Sequence, residues 1–439
     1  MKYDYIIVGA GVVGCATARY LKLSDTGSNI LLIDDHNRVG AGNTAKSAAL
    51  YRNIFSSPTS RQLATGSIAY YETLGDEIQL NPIGYLWLFS DSQWERSKGA
   101  RDSLDPERDR IEFIESAGLK DMLNINLRSH DEDARFPGIA YGILGHRCGS
   151  LSGMALAEHY AREFESLGGR IMLNARISGI ELTGKETCYA PWDDVRSKGV
   201  KLKCGGDRTG NGRRSRNGDR GRCGIGDGNL SLRADHVVMA TGAWTNELLH
   251  KVGIAGNVLP KKRQLFGLKI KDPRQIASIA GNDPAHGFPG TPAIILPAGG
   301  VYIKTLLDRN FLMVGCADDL GRPYELHDDG PDQGYFQKAI APVLDHYFPD
   351  LKDYTLITSW AGHYAYHWPD KNPVLERVKN ITWVSGTSGS GIMKADALGR
   401  IAAAHLRGKK IAQLADGTHF NVQDISLRNR KVENESFII

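Results

Sequence analysis

DYIIVGAGVVGCATARYL, residues 4–21, is the stretch that decides the fold of this 439-residue chain. It can be interpreted as an apolar leader ending in V-V-G-C, or as a buried strand that turns through glycines into a helix. A leader requires a cationic start and an uninterrupted apolar stretch. Here Asp4 stands at the start, and Gly9, Gly11 and Gly14 interrupt the apolar residues. The stretch therefore predicts a strand, a turn and a helix.

The three glycines have the spacing G-x-G-x-x-G, which suits a dinucleotide. The first allows a tight turn, the second lets the backbone approach a pyrophosphate, and the third lets the helix pack on the strand. A second apolar strand, residues 29–33, is followed by Asp34, 20 residues after Gly14. An acid there can accept hydrogen bonds from both ribose hydroxyls of an adenosine. Asp35 could do the same, but the first acid after the strand is better placed.

The loop GAGNTAKSAALYR, residues 40–52, indicates which dinucleotide is bound. It resembles the pyrophosphate loop of the FAD-dependent oxidoreductases of the D-amino-acid oxidase, sarcosine oxidase and glycine oxidase superfamily. Thr44 and Ser47 match the hydroxyl positions of that loop. The alternative is a solvated loop that caps a following helix. The resemblance implies FAD.

Two later segments extend this resemblance. Residues 234–244, ADHVVMATGAW, are similar to the family's second flavin-domain signature, and residues 386–394, GTSGSGIMK, to its closing glycine loop. A helix rich in alanine follows that loop, and its positive N-terminus would face the flavin pyrimidine edge, where negative charge builds on reduction. The residues that the resemblance assigns to the cofactor here are Thr241, Gly242, Gly389, Gly391, Ile392 and Met393.

The resemblance implies an α/β fold with two domains made of discontinuous segments. One is a Rossmann-like FAD-binding domain of the glutathione-reductase type, and the other is a substrate domain built on an antiparallel sheet. The expected segments are 1–83, 146–264 and 357–439 for the FAD-binding domain and 84–145 and 265–356 for the substrate domain.

The bulk composition predicts a soluble cytoplasmic protein. The chain is 41% hydrophobic and 24% charged, with a net charge of +4, and no apolar run approaches the roughly 20 residues that span a bilayer. The six cysteines form no C-x-x-C pair, which fits a reducing compartment and predicts no metal site.

Residues 204–228 are unusual because they contain nine glycines and six arginines in 25 residues. Such a segment cannot bury enough apolar surface to order itself, so we expect a disordered insertion between two strands. Nucleic-acid binding is not expected, since no aromatic residue is interleaved and three aspartates dilute the charge.

Four residues are candidates for the chemistry. Arg52 ends the pyrophosphate loop, where the family has an arginine that reaches the substrate, although a structural arginine paired with an acid is the alternative. In SWAGHYAYHWPDKNP, residues 359–373, monomeric sarcosine oxidases have a flavin-bound cysteine at the position of His363. The substitution implies non-covalent FAD. His363 could bind the cofactor, accept an amine proton or be a packed core histidine, and Tyr364 is a substrate contact.

Lys304 is the fourth candidate, and a second lysine, Lys394, departs from the family pattern. Lys304 lies on a predicted strand where sarcosine oxidases have a lysine that promotes reaction with oxygen. Lys394 follows the closing loop one residue later than the family's substrate-binding lysine, because Met393 takes that place. Carboxylate binding by Lys394 is therefore not expected.

These residues predict an FAD-dependent oxidase or dehydrogenase of a small carboxylated amine resembling sarcosine, glycine or proline. Flavin N5 would take a hydride and the imine would hydrolyse. Two alternatives remain: a 2-hydroxy-acid or glycerol-3-phosphate-type dehydrogenase on the same fold, and a non-catalytic FAD-carrying subunit of a larger assembly. Oxygen, a quinone and a carrier protein are all possible electron acceptors.

Overall fold

The computed structural model describes residues 2–128, 135–183, 199–205, 230–279, 288, 291–317, 324–326, 328 and 330–437. Most of the strands in this part of the chain belong to two eight-stranded sheets. The strands are β1 Lys2–Val8, β2 Ile30–Ile33, β3 Leu50–Tyr51, β4 Tyr85–Phe89, β5 Ile111–Glu115, β6 Tyr141–Gly145, β7 Gly149–Ser150, β8 Arg170–Met172, β9 Arg176–Thr183, β10 Gly199–Gly205, β11 Leu230–Met239, β12 Val258–Ile270, β13 Ala293–Ile295, β14 Val301–Leu306, β15 Phe311–Cys316, β16 Tyr354–His367, β17 Val374–Val378, β18 Ile381–Ser385, β19 Ile411–Gln413 and β20 His419–Asn421.

Helices connect these strands and cover the first sheet. The α-helices are α1 Val12–Ser24, α2 Pro58–Leu74, α3 Asp91–Arg96, α4 Lys98–Asp102, α5 Pro106–Asp109, α6 Ser116–Met122, α7 Gly153–Ser166, α8 Thr245–His250, α9 Pro273–Ile279, α10 Ala341–Tyr347 and α11 Gly391–Leu406. Two of the longer helices, α2 and α7, have an N-cap serine whose side chain accepts a backbone hydrogen bond. Ser57 caps α2, for example, by accepting a hydrogen bond from the Ser60 amide, which satisfies one of the free N–H groups of the first turn.

The first sheet has the order β17-β18-β11-β1-β2-β8, and β10 and β9 extend it from β11. β1 lies at its centre and pairs in parallel with β11 and β2. Such a strand is covered on both faces, which explains its run of buried β-branched residues, Ile6, Ile7 and Val8. α1 packs against α11 so closely that a Cβ at Gly399 would lie 2.8 Å from the Ala16 carbonyl carbon.

The second sheet has the order β16-β12-β15-β14-β13-β4-β6-β5. It is antiparallel except between β4 and β13, which run in parallel. Its longest pairing joins β12 to β16 from Val258 opposite His367 to Ile270 opposite Tyr354. One face of this sheet forms a core cluster with α10 and the turn before it, so the other face is left for the functional site.

The α/β fold with a second, mainly antiparallel sheet is confirmed. The first sheet draws its strands from residues 2–33, 170–239 and 374–385, and the second from residues 85–145 and 258–367. Because β12 and β16 extend across the predicted boundaries at 264/265 and 356/357, the division into domains stays a prediction. Residues 206–228 of the predicted insertion lie outside the described residues.

Two further sequence expectations concern bulk properties. Among the described residues, no helix is both long and apolar enough to cross a membrane. The cysteines at positions 15, 148, 204 and 316 are buried thiols, whereas Cys188 and Cys223 lie outside the described part of the chain.

Candidate functional site

A cavity of about 490 Å³ lies between the two sheets and receives side chains from both. It is bounded by the glycine turn after β1, the loop 40–52, the turn after β11, the start of α11, and strands β4, β12, β14 and β16 of the second sheet. The four sequence segments predicted for the cofactor thus meet at one cavity, and the candidate Arg52, which ends the loop 40–52, lines it as well.

The glycine turn is held in a form that side chains would prevent. Gly9 has a φ of 102°, and a Cβ there would lie 2.5 Å from the Ala240 carbonyl oxygen. A Cβ at Gly14 would lie 1.8 Å from the Gly9 carbonyl oxygen, whereas one at Gly11 would meet only Thr44 Oγ1, at 3.4 Å. Gly9 and Gly14 therefore serve the turn itself. Gly11 is open towards the cavity, as a phosphate contact requires.

Thr44 supports the same turn from the neighbouring loop. Its Oγ1 accepts a hydrogen bond of 3.1 Å from the Val12 amide at the start of α1. Ser47 Oγ accepts from the Ala49 amide at 3.0 Å. Both hydroxyl-bearing residues line the cavity. The loop therefore contacts the helix start through Thr44 and keeps its own turn by the side-chain bond of Ser47.

Asp34 lies at the outer end of the cavity with one oxygen on the turn. Its Oδ2 accepts from the Ala10 amide at 2.6 Å, and its Oδ1 accepts from the His36 amide at 2.9 Å. His36 Nδ1 also lies 2.8 Å from Asp34 and 2.9 Å from Asp35. The hydrogen bonds that the His36 ring donates to these two carboxylates raise the pKa of His36 to about 10. A carboxylate can accept about four bonds and Asp34 already accepts three, so one acceptor site remains for a ribose hydroxyl, and a second hydroxyl would need the site that His36 Nδ1 occupies.

The inner end of the cavity is formed by the turn after β11 and the start of α11. The Gly242 carbonyl accepts hydrogen bonds from Thr245 Oγ1 at 2.7 Å and Ser385 Oγ at 2.9 Å. These bonds tie the turn to the end of β18. Gly389 has a φ of 91°, and a Cβ there would lie 2.4 Å from the Tyr364 ring. The loop before α11 thus lies flat against β16.

The remaining predicted cofactor residues also face this end. Thr241, Gly391, Ile392 and Met393 line the cavity, and the Ile392 carbonyl is held by the Tyr71 hydroxyl at 2.7 Å. Neither α1 nor α11 has an N-cap side-chain hydrogen bond. Two helix starts whose N-cap side chains make no hydrogen bond therefore face the cavity, although Thr44 accepts from the Val12 amide of α1. A helix start is the arrangement that binds anionic groups. These features fit the FAD that the sequence predicts.

Arg52 lies on the substrate side of the cavity and is only 3% exposed. One guanidinium nitrogen donates to the Phe437 carbonyl. Its Cζ lies 4.1 Å from the Phe55 ring centroid and 5.2 Å from that of Trp87. Within the described part of the chain, Nε and Nη1 have no hydrogen-bond partner. Because buried polar groups are normally paired, these two donors indicate a ligand, and the alternative of an arginine paired with an acid is not observed.

Arg263 on β12 is a cavity residue that the sequence analysis missed. It is 9% exposed, and its Nη1 donates to the Lys262 carbonyl at 3.2 Å. Its Nε lacks a partner among the described residues, and its Cζ lies 5.3 Å from the Tyr364 ring centroid. In the sequence it ends the run Lys-Lys-Arg, which is typical of a solvated strand. Only the alternation of side chains along β12 separates it from Lys262, which pairs with Asp328 and Asp332 instead.

The C-terminal segment was also missed. Glu435 and Phe437 line the cavity. The Glu435 carboxylate accepts bonds from the Ser56 amide and hydroxyl and from the Ser57 and Phe437 amides. No local sequence pattern marks Glu435, because Ser56 and Ser57, which donate most of these bonds, lie about 380 residues earlier. The last described residues of the chain are thus part of the wall beside Arg52.

His363 and Tyr364 both line the cavity but extend from opposite faces of β16, because neighbouring strand side chains alternate. His363 is 3% exposed, its amide donates to Asn43 Oδ1 at 3.0 Å, and its ring contacts Trp244 at a centroid distance of 6.4 Å. Tyr364 contacts Arg263 and the glycine at 389. His363 is therefore surrounded by cofactor segments and Tyr364 by substrate-side residues.

The two lysines lie outside the cavity lining. Lys304 Nζ donates to the Ala48 carbonyl at 3.1 Å, and burial lowers the pKa of Lys304 to about 8. Lys394 is fully buried, donates to Ser60 Oγ at 2.8 Å and lies 4.3 Å from the Phe55 ring centroid. Burial lowers the pKa of Lys394 to about 7. Lys394 thus does not reach the cavity, in agreement with the doubt raised by its one-residue offset.

Comparison with known proteins supplies an independent test. The family model described as FAD dependent oxidoreductase matches residues 4–405. The chain is 23% identical to FAD-dependent oxidoreductase domain-containing protein 1 of Xenopus laevis, over 92% of this chain and 78% of that protein. It is 27% identical to glycine oxidase of Pseudomonas aeruginosa over 82% of each chain. L-proline dehydrogenase from P. horikoshii has the same fold, with a TM-score of 0.70 and 19% identity over 93% of this chain and 94% of that one.

Proposed function

The chain belongs to the family of FAD-dependent oxidoreductases, with FAD as cofactor, and on this premise we propose that it oxidises a small carboxylated amine. The substrate would be an amino acid or secondary amine of the sarcosine, glycine or proline kind. The names of two relatives, a glycine oxidase and an L-proline dehydrogenase, support amine oxidation. Bound FAD supplies a hydride acceptor, flavin N5, for the amine-bearing carbon, and water then hydrolyses the imine.

The observation that carries the proposal is the pair of unpartnered N–H donors on buried Arg52. A buried charge without a partner is costly, and a carboxylate that accepts two parallel hydrogen bonds from a guanidinium removes that cost. Arg52 would therefore fix the substrate carboxylate and, through it, the orientation of the amine-bearing carbon. Orientation of this kind accounts for a large share of catalysis when the cofactor supplies the chemistry.

Tyr364 and His363 would act on opposite sides of the bound substrate and cofactor. Tyr364 shares its face of β16 with the substrate-side residues, so we assign it to substrate contact. His363 lies among cofactor segments, so we assign it to holding the flavin, and acceptance of the amine proton is the alternative, because imidazole is a common general base in enzymes. Amine oxidation requires a neutral amine, which a base at either position would provide.

The cofactor end follows from the contacts described above. Asp34 would accept the ribose hydroxyls, Gly11 and the α1 start would face the pyrophosphate, and the α11 start would face the flavin. Since the position of the flavin-bound cysteine is His363 here, we propose non-covalent FAD. Acid precipitation should then release all of the yellow flavin into the supernatant, and flavin retained in the pellet would contradict this.

The electron acceptor is left open among oxygen, a quinone and a carrier protein. Lys304 donates a hydrogen bond to the carbonyl of Ala48, which lines the cavity. A positive charge beside the cavity would stabilise superoxide. We propose this role only for the oxygen reaction. Reoxidation of reduced enzyme by oxygen should then slow as pH rises through about 8, where Lys304 loses its charge.

Anaerobic mixing with a panel of amines and hydroxy acids tests the proposal. Bleaching of the flavin absorbance by sarcosine, glycine, proline or another α-amino acid is the expected result. Bleaching by 2-hydroxy acids or glycerol 3-phosphate alone would replace it with the hydroxy-acid alternative. If no compound bleaches the flavin, although dithionite does, the chain is a non-catalytic flavoprotein.

A further inference from the structure

The substrate side of the cavity contains a second buried cation that one carboxylate does not explain. Arg263 lies on β12, and Arg52 lies against Tyr85 on β4, with its Cζ 5.7 Å from that ring centroid. In the second sheet β12 and β4 are separated by β15, β14 and β13. Neighbouring strands lie about 4.8 Å apart, so the two strand axes are roughly 19 Å apart. The arginines therefore approach the cavity from opposite sides.

The floor on the substrate side of the cavity is made of tyrosines. Tyr85, Tyr302 and Tyr364 all line the cavity and come from β4, β14 and β16. The hydroxyl of Tyr85 has no hydrogen-bond partner within the described residues. Rings with a polar tip suit an amine with polar groups at both ends, because they pack against its carbon chain and still offer hydrogen bonds.

Among the described residues, no acid forms an ion pair with either of these two arginines. Glu435 is the cavity carboxylate on this side, and both of its oxygens are already used by the amides and hydroxyl of the segment at Ser56 and by the Phe437 amide. The neighbouring Lys262, by contrast, has two aspartates. Since buried charges are normally paired, two arginines with unpartnered donors at one cavity indicate two anionic groups in the ligand.

We propose that the substrate carries two carboxylates, one bound by Arg52 and the other by Arg263, with the reacting amine between them above the tyrosine floor. This inference rests on the proposed function and narrows its substrate class. The class comprises secondary amines with a carboxyalkyl group on each side of nitrogen and amino acids with an acidic side chain. Arg263 is then the residue that separates dicarboxylic from monocarboxylic amines.

Sulfide analogues test this by binding alone, because a sulfur in place of the amine cannot form an imine. Thiodiacetate and methylthioacetate differ in one carboxylate, and thiodipropionate and methylthiopropionate form a longer pair. Each is titrated into the FAD-loaded protein, with the flavin absorbance change as readout. At least one dicarboxylate should bind roughly 10- to 100-fold more tightly than its monocarboxylate partner, as expected for an added charge-assisted contact.

Variants assign the difference to a residue. Arg263→Met should remove the preference and leave monocarboxylate binding within about threefold, Arg263→Lys should restore part of it, and Arg52→Met should weaken both ligands. Lys261→Met is the matched control, since Lys261 lies two residues away on the same face of β12, contacts the Tyr366 ring and does not line the cavity. It should keep the full preference.

Three results would overturn the inference. Equal binding within both analogue pairs in the unsubstituted protein would do so whether or not the variants fold. Equal weakening of mono- and dicarboxylates by Arg263→Met would mean that both arginines hold a single carboxylate. A preference that survives Arg263→Met would exclude this residue. The proposed function fails separately, if no amine bleaches the flavin. If monocarboxylic amines bleach the flavin but dicarboxylate analogues bind no more tightly than monocarboxylates, only the dicarboxylate inference is wrong.

Discussion

The two ends of the cavity are built in different ways. At the adenosine end, Gly9 and Gly14 touch neighbouring backbone so closely that no side chain fits, and Asp34 and Thr44 already hold backbone amides. At the substrate end, Arg52 and Arg263 keep hydrogen-bond donors without partners. The first end is fixed by sterics and satisfied bonds, whereas the second is completed by a ligand. A substitution at the adenosine end should therefore affect folding and cofactor content. A substitution at the substrate end should affect the affinity for the substrate.

The largest effect is expected at the third glycine of the turn. A Cβ from Gly14→Ala would lie 1.8 Å from the Gly9 carbonyl oxygen, which is backbone and cannot move away cheaply. We expect the variant to be recovered without flavin and with a destabilised first sheet. Absorbance in the blue region and thermal unfolding measure the two properties.

Gly11→Ala is the matched control for that substitution. Its Cβ would meet only Thr44 Oγ1 at 3.4 Å, an ordinary contact, so the apoprotein should fold normally and bind FAD weakly. If Gly14→Ala instead bound FAD like the unsubstituted protein, the steric account of this end would be wrong.

The sequence predicts these two ends unequally, for a physical reason. The cofactor end depends on residues close together in the chain, Gly9 to Ser47, whose spacing alone encodes a strand, a turn, a helix and a loop. At the substrate end, Arg263 and Phe437 meet Arg52 only because β12 and the C-terminal segment return to the same cavity. Arg263 belongs to a run of basic residues and Phe437 is the last described residue, so no local pattern in the sequence reveals that both reach this cavity.

Faces of a strand were also beyond the sequence analysis. The sequence left His363 open among cofactor binding, proton acceptance and core packing and predicted a substrate contact for Tyr364, without assigning the two side chains to opposite faces of a strand. Strand alternation would have separated the two side chains. However, residues 359–373 were not recognised as part of a strand from the sequence. By contrast, the doubt over Lys394 came from a one-residue offset, which on a helix turns a side chain by about 100°.

The next effect in size is expected for Arg52→Met. Loss of two charge-assisted hydrogen bonds should raise KM for a carboxylated amine by about 100-fold, while the FAD content stays unchanged because Arg52 lies on the substrate side. Steady-state kinetics with an amine that bleaches the flavin measures this. Arg52→Lys should recover part of the loss, since it keeps the charge without the fork. A normal KM in the methionine variant would show that the substrate carboxylate binds elsewhere.

His363→Ala tests the boundary between the two ends. Its neighbours, Asn43 and Trp244, belong to cofactor segments, so we expect FAD affinity to fall about tenfold, the loss of about one contact. The turnover at saturating FAD should change by less than about fivefold. Titration of the apoprotein with FAD and kinetics with excess FAD separate the two quantities. A fall in turnover of about 100-fold with unchanged FAD affinity would instead identify His363 as the base.

The smallest effect is expected behind the cavity, at Lys394. Its pKa is about 7 in the folded protein and 10.5 in a solvated chain. Between these pH values the unfolded chain binds the extra proton, so the penalty for burying the charge is present in full below pH 7, and stability rises from pH 7 to 10.5. Lys394→Met should therefore raise the free energy of unfolding by about 1 kcal/mol at pH 7 and flatten this rise.

Thermal unfolding of the FAD-free protein at several pH values measures the effect without a contribution from cofactor binding. Lys409→Met, at an exposed position just after α11, is the matched control and should follow the unsubstituted protein at every pH. Since Lys394 does not line the cavity, its variant should also leave KM unchanged, unlike Arg52→Met. A raised KM together with lower stability in Lys394→Met would show that Lys394 contacts the substrate. Lys394 and Arg52 would then both be buried to bind a ligand.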